Sequence, residues 1–127
     1  MLKSITIEEP ELLNNLRIKS DSVRSVDCSK RFGLIKTNNI NKVKNLDFIK
    51  GCPNLARLII DSVDVECWDE IYNFEKLMYI WVDEENFKRI DLSKFSSEPI
   101  VNESHNFYTI EFPDIIEKHR ANAKRPK

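Results

Sequence analysis

The sequence predicts an α/β fold: a short solenoid of stacked coils with parallel strands, closed by capping segments at its N- and C-terminal ends. Two observations predict it. The apolar ladder Leu46, Ile49, Cys52, Leu55, Leu58, Ile60 returns 22 residues later as Trp68, Ile71, Phe74, Leu77, Ile80, Val82. The flanking segments carry different patterns, suited to covering the open ends of such a stack. The 127 residues suit a single domain, with a cap and first strands over 1–31, a repeat core over 32–92, and a C-terminal cap with a basic tail over 93–127.

At the N-terminus, Ile5 and Ile7 alternate with Ser4 and Thr6, which predicts a short strand. Pro10 opens a predicted helix to Ile18, with Glu8, Glu9 and Glu11 around its positive end and Leu12, Leu13 and Leu16 as its apolar side. Val23-x-x-Val26-x-Cys28 and Phe32-x-x-Ile35-x-Thr37 read as strands of degenerate early coils.

In the first clear unit, Leu46, Ile49 and Cys52 recur at spacing three, which suits a short helix or 3₁₀ segment on the outer side. Gly51 and Pro53 then end that segment, and Leu55-x-x-Leu58-x-Ile60 leads into a strand. The second unit repeats this, and the extension Val43 to Val65 to Phe87 keeps the same step. Phe87-x-x-Ile90-x-Leu92 follows too soon for a full coil and reads as the start of a cap or a shortened coil. Two successive helix–strand units of an irregular α/β domain would produce the same ladder. Phe107–Phe112 is a strand by its aromatic and β-branched content, and Pro113-Asp114 starts a short helix over Ile115–Ala123. The last residues, Lys124-Arg125-Pro126-Lys127, form a short basic tail.

If the strands alternate as predicted, Arg57, Ile59 and Asp61 face outward in one coil and Tyr79, Trp81 and Asp83 in the next. Leu34, Lys36 and Asn38 would continue the row on one side, and Lys88, Arg89 and Asp91 on the other. An outward Ile59 beside Tyr79 and Trp81 has no folding purpose, whereas Tyr and Trp are effective interface anchors. Asp61, Asp83, Glu84 and Glu85 would add a negative rim that attracts a basic partner. The alternative is that the C-terminal segment folds over these aromatics and buries them.

Charge supports the same reading. The net charge of −1 hides an acidic block: residues 61–85 hold nine acids and one base, Lys76. Tyr72, Phe74, Tyr79 and Trp81 all fall in this block, where the field repels phosphate, so no direct nucleic-acid partner is expected. His105 and His119 stand in no metal-binding spacing, and Cys28, Cys52 and Cys67 form no Cys-x-x-Cys pair. They are expected as plain buried or half-buried thiols. No metal, cofactor or small-molecule substrate is expected, and no catalytic constellation is legible. With no long apolar run, neither a membrane span nor a signal peptide is expected, and the cytosol is the expected compartment.

The stretch Asn45 to Ile60, with its Cys52-Pro53-Asn54-Leu55-x-x-Leu58 turn into a strand, resembles a leucine-rich-repeat unit. The resemblance covers about residues 32–92. The second unit, Trp68 to Val82, keeps the spacing without the Pro-Asn turn. The asparagine usual at the strand exit of that family is missing, with Val63 and Glu85 nearest to it. In size and acidity the chain is also similar to small bacterial immunity proteins of toxin–immunity pairs. That resemblance implies a non-enzymatic module that binds and neutralises a basic, often nuclease, toxin domain. A leucine-rich-repeat adaptor or self-associating structural protein is the other implied role.

Overall fold

The computed structural model describes residues 3–7, 13–29, 41–61 and 63–123. They form a mixed α/β structure with few helices, built on an open, mostly parallel sheet. Eight strands are present among them: β1 (Lys3–Thr6), β2 (Val23–Ser29), β3 (Asn41–Val43), β4 (Arg57–Asp61), β5 (Val63–Val65), β6 (Tyr79–Asp83), β7 (Ile100–Ser104) and β8 (Phe107–Glu111). Two helices accompany them, the one-turn α1 (Glu84–Phe87) and the terminal α2 (Pro113–Ala123). Six strands make one sheet in the order β1-β2-β4-β6-β8-β7, and β3 pairs with β5 in a second, two-stranded sheet.

The 22-residue step of the sequence is the pairing register of β4 with β6 and of β3 with β5. Arg57 to Ile60 of β4 pair in parallel with Tyr79 to Val82 of β6. Asn41, Lys42 and Val43 of β3 pair with Val63, Asp64 and Val65 of β5. All members of the two apolar ladders are buried. One row crosses the large sheet as Ile5, Val26, Leu58, Ile80, Ile110 and Val101, six apolar side chains on one face. The core lies between this face and the return segments that carry Leu46, Ile49, Cys52 and Leu55, then Trp68, Ile71, Phe74 and Leu77.

The spacing of three in the return segments has its cause in the backbone. Ile49 N–H donates to Leu46 O, Cys52 N–H to Ile49 O and Leu55 N–H to Cys52 O, at 3.0–3.1 Å. These are successive i→i−3 turns, which bring every third side chain to the same side. The second unit repeats the device, with a 3₁₀ segment at Asp69–Asn73 and Ile71 N–H on Trp68 O.

Gly51 does more than end a segment. It bridges Lys19 in parallel, its carbonyl accepts from Ser20 N–H at 3.1 Å, and a Cβ there would lie 2.7 Å from Ile18 O. Only glycine allows the two backbones to approach this closely.

Several expectations are corrected. Within the described part of the predicted N-terminal helix, residues 13–18 are a turn and irregular chain, although Leu13 is buried in the core; Pro10–Leu12 lie outside the described residues. Two polar side chains bond to the backbone here in place of a helix: Asn14 accepts from Lys44 N–H and donates to Lys42 O, and Arg17 donates to Asn14 O and Leu16 O. The neighbour of β4 on its first side is β2, at Val26↔Leu58, and the strand expected at Phe32–Thr37 lies outside the described residues. Leu34, Lys36 and Asn38 lie outside the described residues, as does the basic tail at 124–127. The 22-residue step fails at Phe87, which ends α1. Lys88 and Arg89 follow as a turn and Leu92–Lys94 as a 3₁₀ turn, so Lys88, Arg89 and Asp91 are not an outward strand row.

At the C-terminal end, β8 and α2 form as expected. The strand β7 was not anticipated. It pairs antiparallel with β8 through a two-residue turn in which His105 and Asn106 have φ of 52° and 73°. Two successive positive φ values are the backbone of the tight turn that matches strand twist. Cys28 and Cys52 are buried and Cys67 is exposed, so the third thiol departs from expectation. Among the described residues no helix is long and apolar enough to cross a membrane.

Candidate protein-docking face

The second face of the large sheet follows from strand alternation. Its rows read Ser4, Ser25, Arg57, Tyr79, Glu111, Ile100 and Thr6, Asp27, Ile59, Trp81, Thr109, Asn102. The two halves of this face differ. Over β2 and β4, Asp27 and Ile59 are buried. Over β6, β8 and β7 the surface is open: Trp81 is 40% exposed and Ile100 51%. These are the exposed large hydrophobic side chains among the described residues, and both stand on this face. Surface hydrophobics scattered singly need no explanation, but Trp81 stands beside Tyr79 and Phe107, while Ile100 lies two strands away across Glu111 of β8.

Trp81 has a firm seat. Its ring centre lies 5.1 Å from that of Phe107, tilted by 42°, and Thr109 is its register partner on β8. The indole is therefore held by its neighbours with its free face to solvent. Arg57, Tyr79, Trp81 and Thr109 line a depression of about 450 Å³. The alternative, that the C-terminal segment folds over the aromatics and buries them, does not hold for Trp81 among the described residues. That segment instead adds β8 beside β6 and widens the face.

Of the residues expected at the surface, the fold brings Arg57, Tyr79 and Trp81 together. Ile59 is corrected: it is 7% exposed, packed in its row between Asp27 and the large ring of Trp81. Asp83 caps α1. Its Oδ1 accepts from Asn86 N at 3.1 Å and from Asn86 Nδ2 at 2.9 Å. Asp61 is half-buried and engaged at the end of β4. Glu84 and Glu85 are exposed on α1, each 3.8 Å from Lys88 Nζ. The acids therefore do not form one continuous rim, because part of the block serves local structure. Asp64 is one of these, bonded to Arg89 on the edge of the second sheet.

Asn86 was missed by the reading of the sequence. It stands one position beyond Glu85 and is fully buried. Its Oδ1 accepts from Val65 N–H at 3.0 Å and its Nδ2 donates to Val63 O at 2.6 Å. The amide thus acts as one more rung beside β5, on the side away from β3, and Arg89 Nη1 adds a bond to Val65 O at 3.1 Å. A sheet edge that would otherwise be orphaned in the interior is satisfied by side chains. Thr109, Phe107 and Ile100 were also missed as parts of the face. Their signal was the alternation of β8 and the polar Ser104-His105-Asn106 turn before it.

Among the described residues no group of His, Cys, Asp or Glu is placed to hold a metal ion. Burial pushes the Cys28 thiol up to about 12, with the neighbouring Asp27 carboxylate adding to the effect, and burial also raises Cys52. Compared with known protein families, curated proteins and solved structures, the chain matches none.

Proposed function

We propose that the chain is a non-enzymatic protein-binding module that docks one partner on the open half of its sheet. The observation that carries this reading is the exposure of Trp81 beside Tyr79, Arg57 and Phe107, with Ile100 exposed on the same face two strands away. Trp, Tyr and Arg are the residue types that dominate interface energetics, since each buries much area at a low cost in rotamer freedom or binds through a rigid fork. The antiparallel addition of β8 and β7 widens this surface.

On the finer fold, the constant 22-residue register of β3–β5 and β4–β6 supports a short leucine-rich-repeat-like solenoid of two coils. On the finer function, the resemblance to immunity proteins and the acidic block support neutralisation of a basic toxin domain. The test is calorimetric titration of the purified chain with the product of the neighbouring reading frame. Trp81→Ala should weaken binding at least tenfold, about 1.4 kcal/mol, with the fold retained. Unchanged binding by both Trp81→Ala and Ile100→Lys sinks the assignment.

One observation favours a second reading. Among the described residues β7 is the edge of the sheet, and such an edge beside exposed Ile100 is a template for a second copy. Light scattering after size exclusion separates the two: a stable homodimer broken by Glu103→Pro, at a position whose amide faces the free side of β7, supports self-association.

A further inference from the structure

The described arginines are satisfied unequally. Arg17, Arg24, Arg89 and Arg120 each hold an oxygen of this chain. Arg57 alone among them holds none, and its side chain is exposed on the wall of the depression beside Tyr79 and Trp81. Everything else polar that lines the depression can also donate. The indole Nε1–H of Trp81 is a donor only, and the hydroxyls of Tyr79 and Thr109 donate or accept. Among the described residues no carboxylate lines it. Glu111, the register partner of Tyr79 on β8, stands next to the depression on the same face, so the donors are concentrated at its Arg57 side.

We propose that the docked partner places an acidic side chain, an Asp or Glu carboxylate, between Arg57, Tyr79, Trp81 and Thr109. This rests on the docking reading above and names the chemistry at its centre. A guanidinium fork binds the two oxygens of a carboxylate in one plane, and such charge-assisted bonds are the strong ones. The aromatic walls exclude water from the contact and strengthen it. A basic partner is compatible with this arrangement when it carries the acid at the middle of its contact surface.

The test uses the whole chain and blocked peptides, Ac-Ala-Leu-Glu-Leu-Ala-amide and its Gln and Lys counterparts, followed by the NMR signal of the Trp81 indole N–H. The Glu peptide should shift that signal saturably and bind roughly tenfold tighter than the Gln peptide. In the Arg57→Gln variant, whose exposed position leaves the fold intact, the difference should vanish. Equal or tighter binding of the Gln or Lys peptide overturns the proposal, as does a preference that survives Arg57→Gln. No saturable shift with any peptide overturns it too. Inorganic phosphate binding as tightly as the Glu peptide would make this a general anion site. A Gln peptide with a free C-terminus binding as tightly would make it a terminal-carboxylate site. Each of those outcomes also overturns the proposal. None of them touches the docking reading, which stands or falls on the protein titration with Trp81→Ala.

Discussion

Ile59 and Trp81 are register partners on adjacent parallel strands and point to the same face, yet Ile59 is 7% exposed and Trp81 40%. The difference comes from their neighbours. Ile59 is flanked by Asp27 and by the indole itself, whereas the other neighbour of Trp81 is the small Thr109. Ile59→Ala should therefore cost about 2–4 kcal/mol of stability through the cavity it leaves. Trp81→Ala should cost about 1 kcal/mol, chiefly its ring contact with Phe107. Urea unfolding curves with unchanged slopes check both values; a larger loss for Trp81 would make it a core residue and not an anchor.

Asn86 is the most exacting polar position in the described core. Asn86→Leu removes the bonds to Val63 O and Val65 N–H and leaves two buried backbone groups unsatisfied. The expected loss is about 2–5 kcal/mol. Asp83→Ala should cost about 1 kcal/mol as a lost cap. Because Asp83 bonds directly to Asn86, the two effects should be strongly non-additive in a double-mutant cycle, and simple addition would contradict the geometry. Asp83 is for the same reason a poor probe of binding.

Gly51→Ala should lower the melting temperature, since the new methyl would press on backbone: Ile18 O at 2.7 Å and Lys19 Cα at 3.2 Å. Neither can rotate away, so the cost should be about 1–3 kcal/mol. A melting temperature equal to that of the parent would show that residues 18–20 do not run against residue 51.

The thiols should divide by exposure. In the native protein one cysteine, Cys67, should react with a thiol reagent at neutral pH, and all three in denaturant. Cys28 also gives a pH dependence. Its pKa is raised from 9.0 to about 12 in the fold, so above pH 9 the unfolded chain loses a proton that the native chain keeps. Stability is thus unaffected by this group at lower pH and falls as the pH rises from about 9 toward 12. Unfolding measured against pH should show a shallower decline in Cys28→Val over that window.

The sequence by itself determined the 22-residue register, the buried ladder from Leu46 to Val82, the spacing-three return segments and the strand and helix after Phe107. These are legible because alternation and spacing are local: a side chain's distance along the chain sets the face on which it lies. The fold in space settled that β2 lies beside β4, that β7 and β8 extend the sheet, that Ile59 is covered, and that Asn86, held by Asp83, bonds to β5. Each of these depends on which strands become neighbours across loops without periodicity. Pattern assigns a side chain to a face, but its burial follows from the size of the side chains that other strands set beside it. For that reason Arg57, Tyr79 and Trp81 could be named from the sequence, while the shape and donor-rich polarity of the depression they share with Thr109 could not.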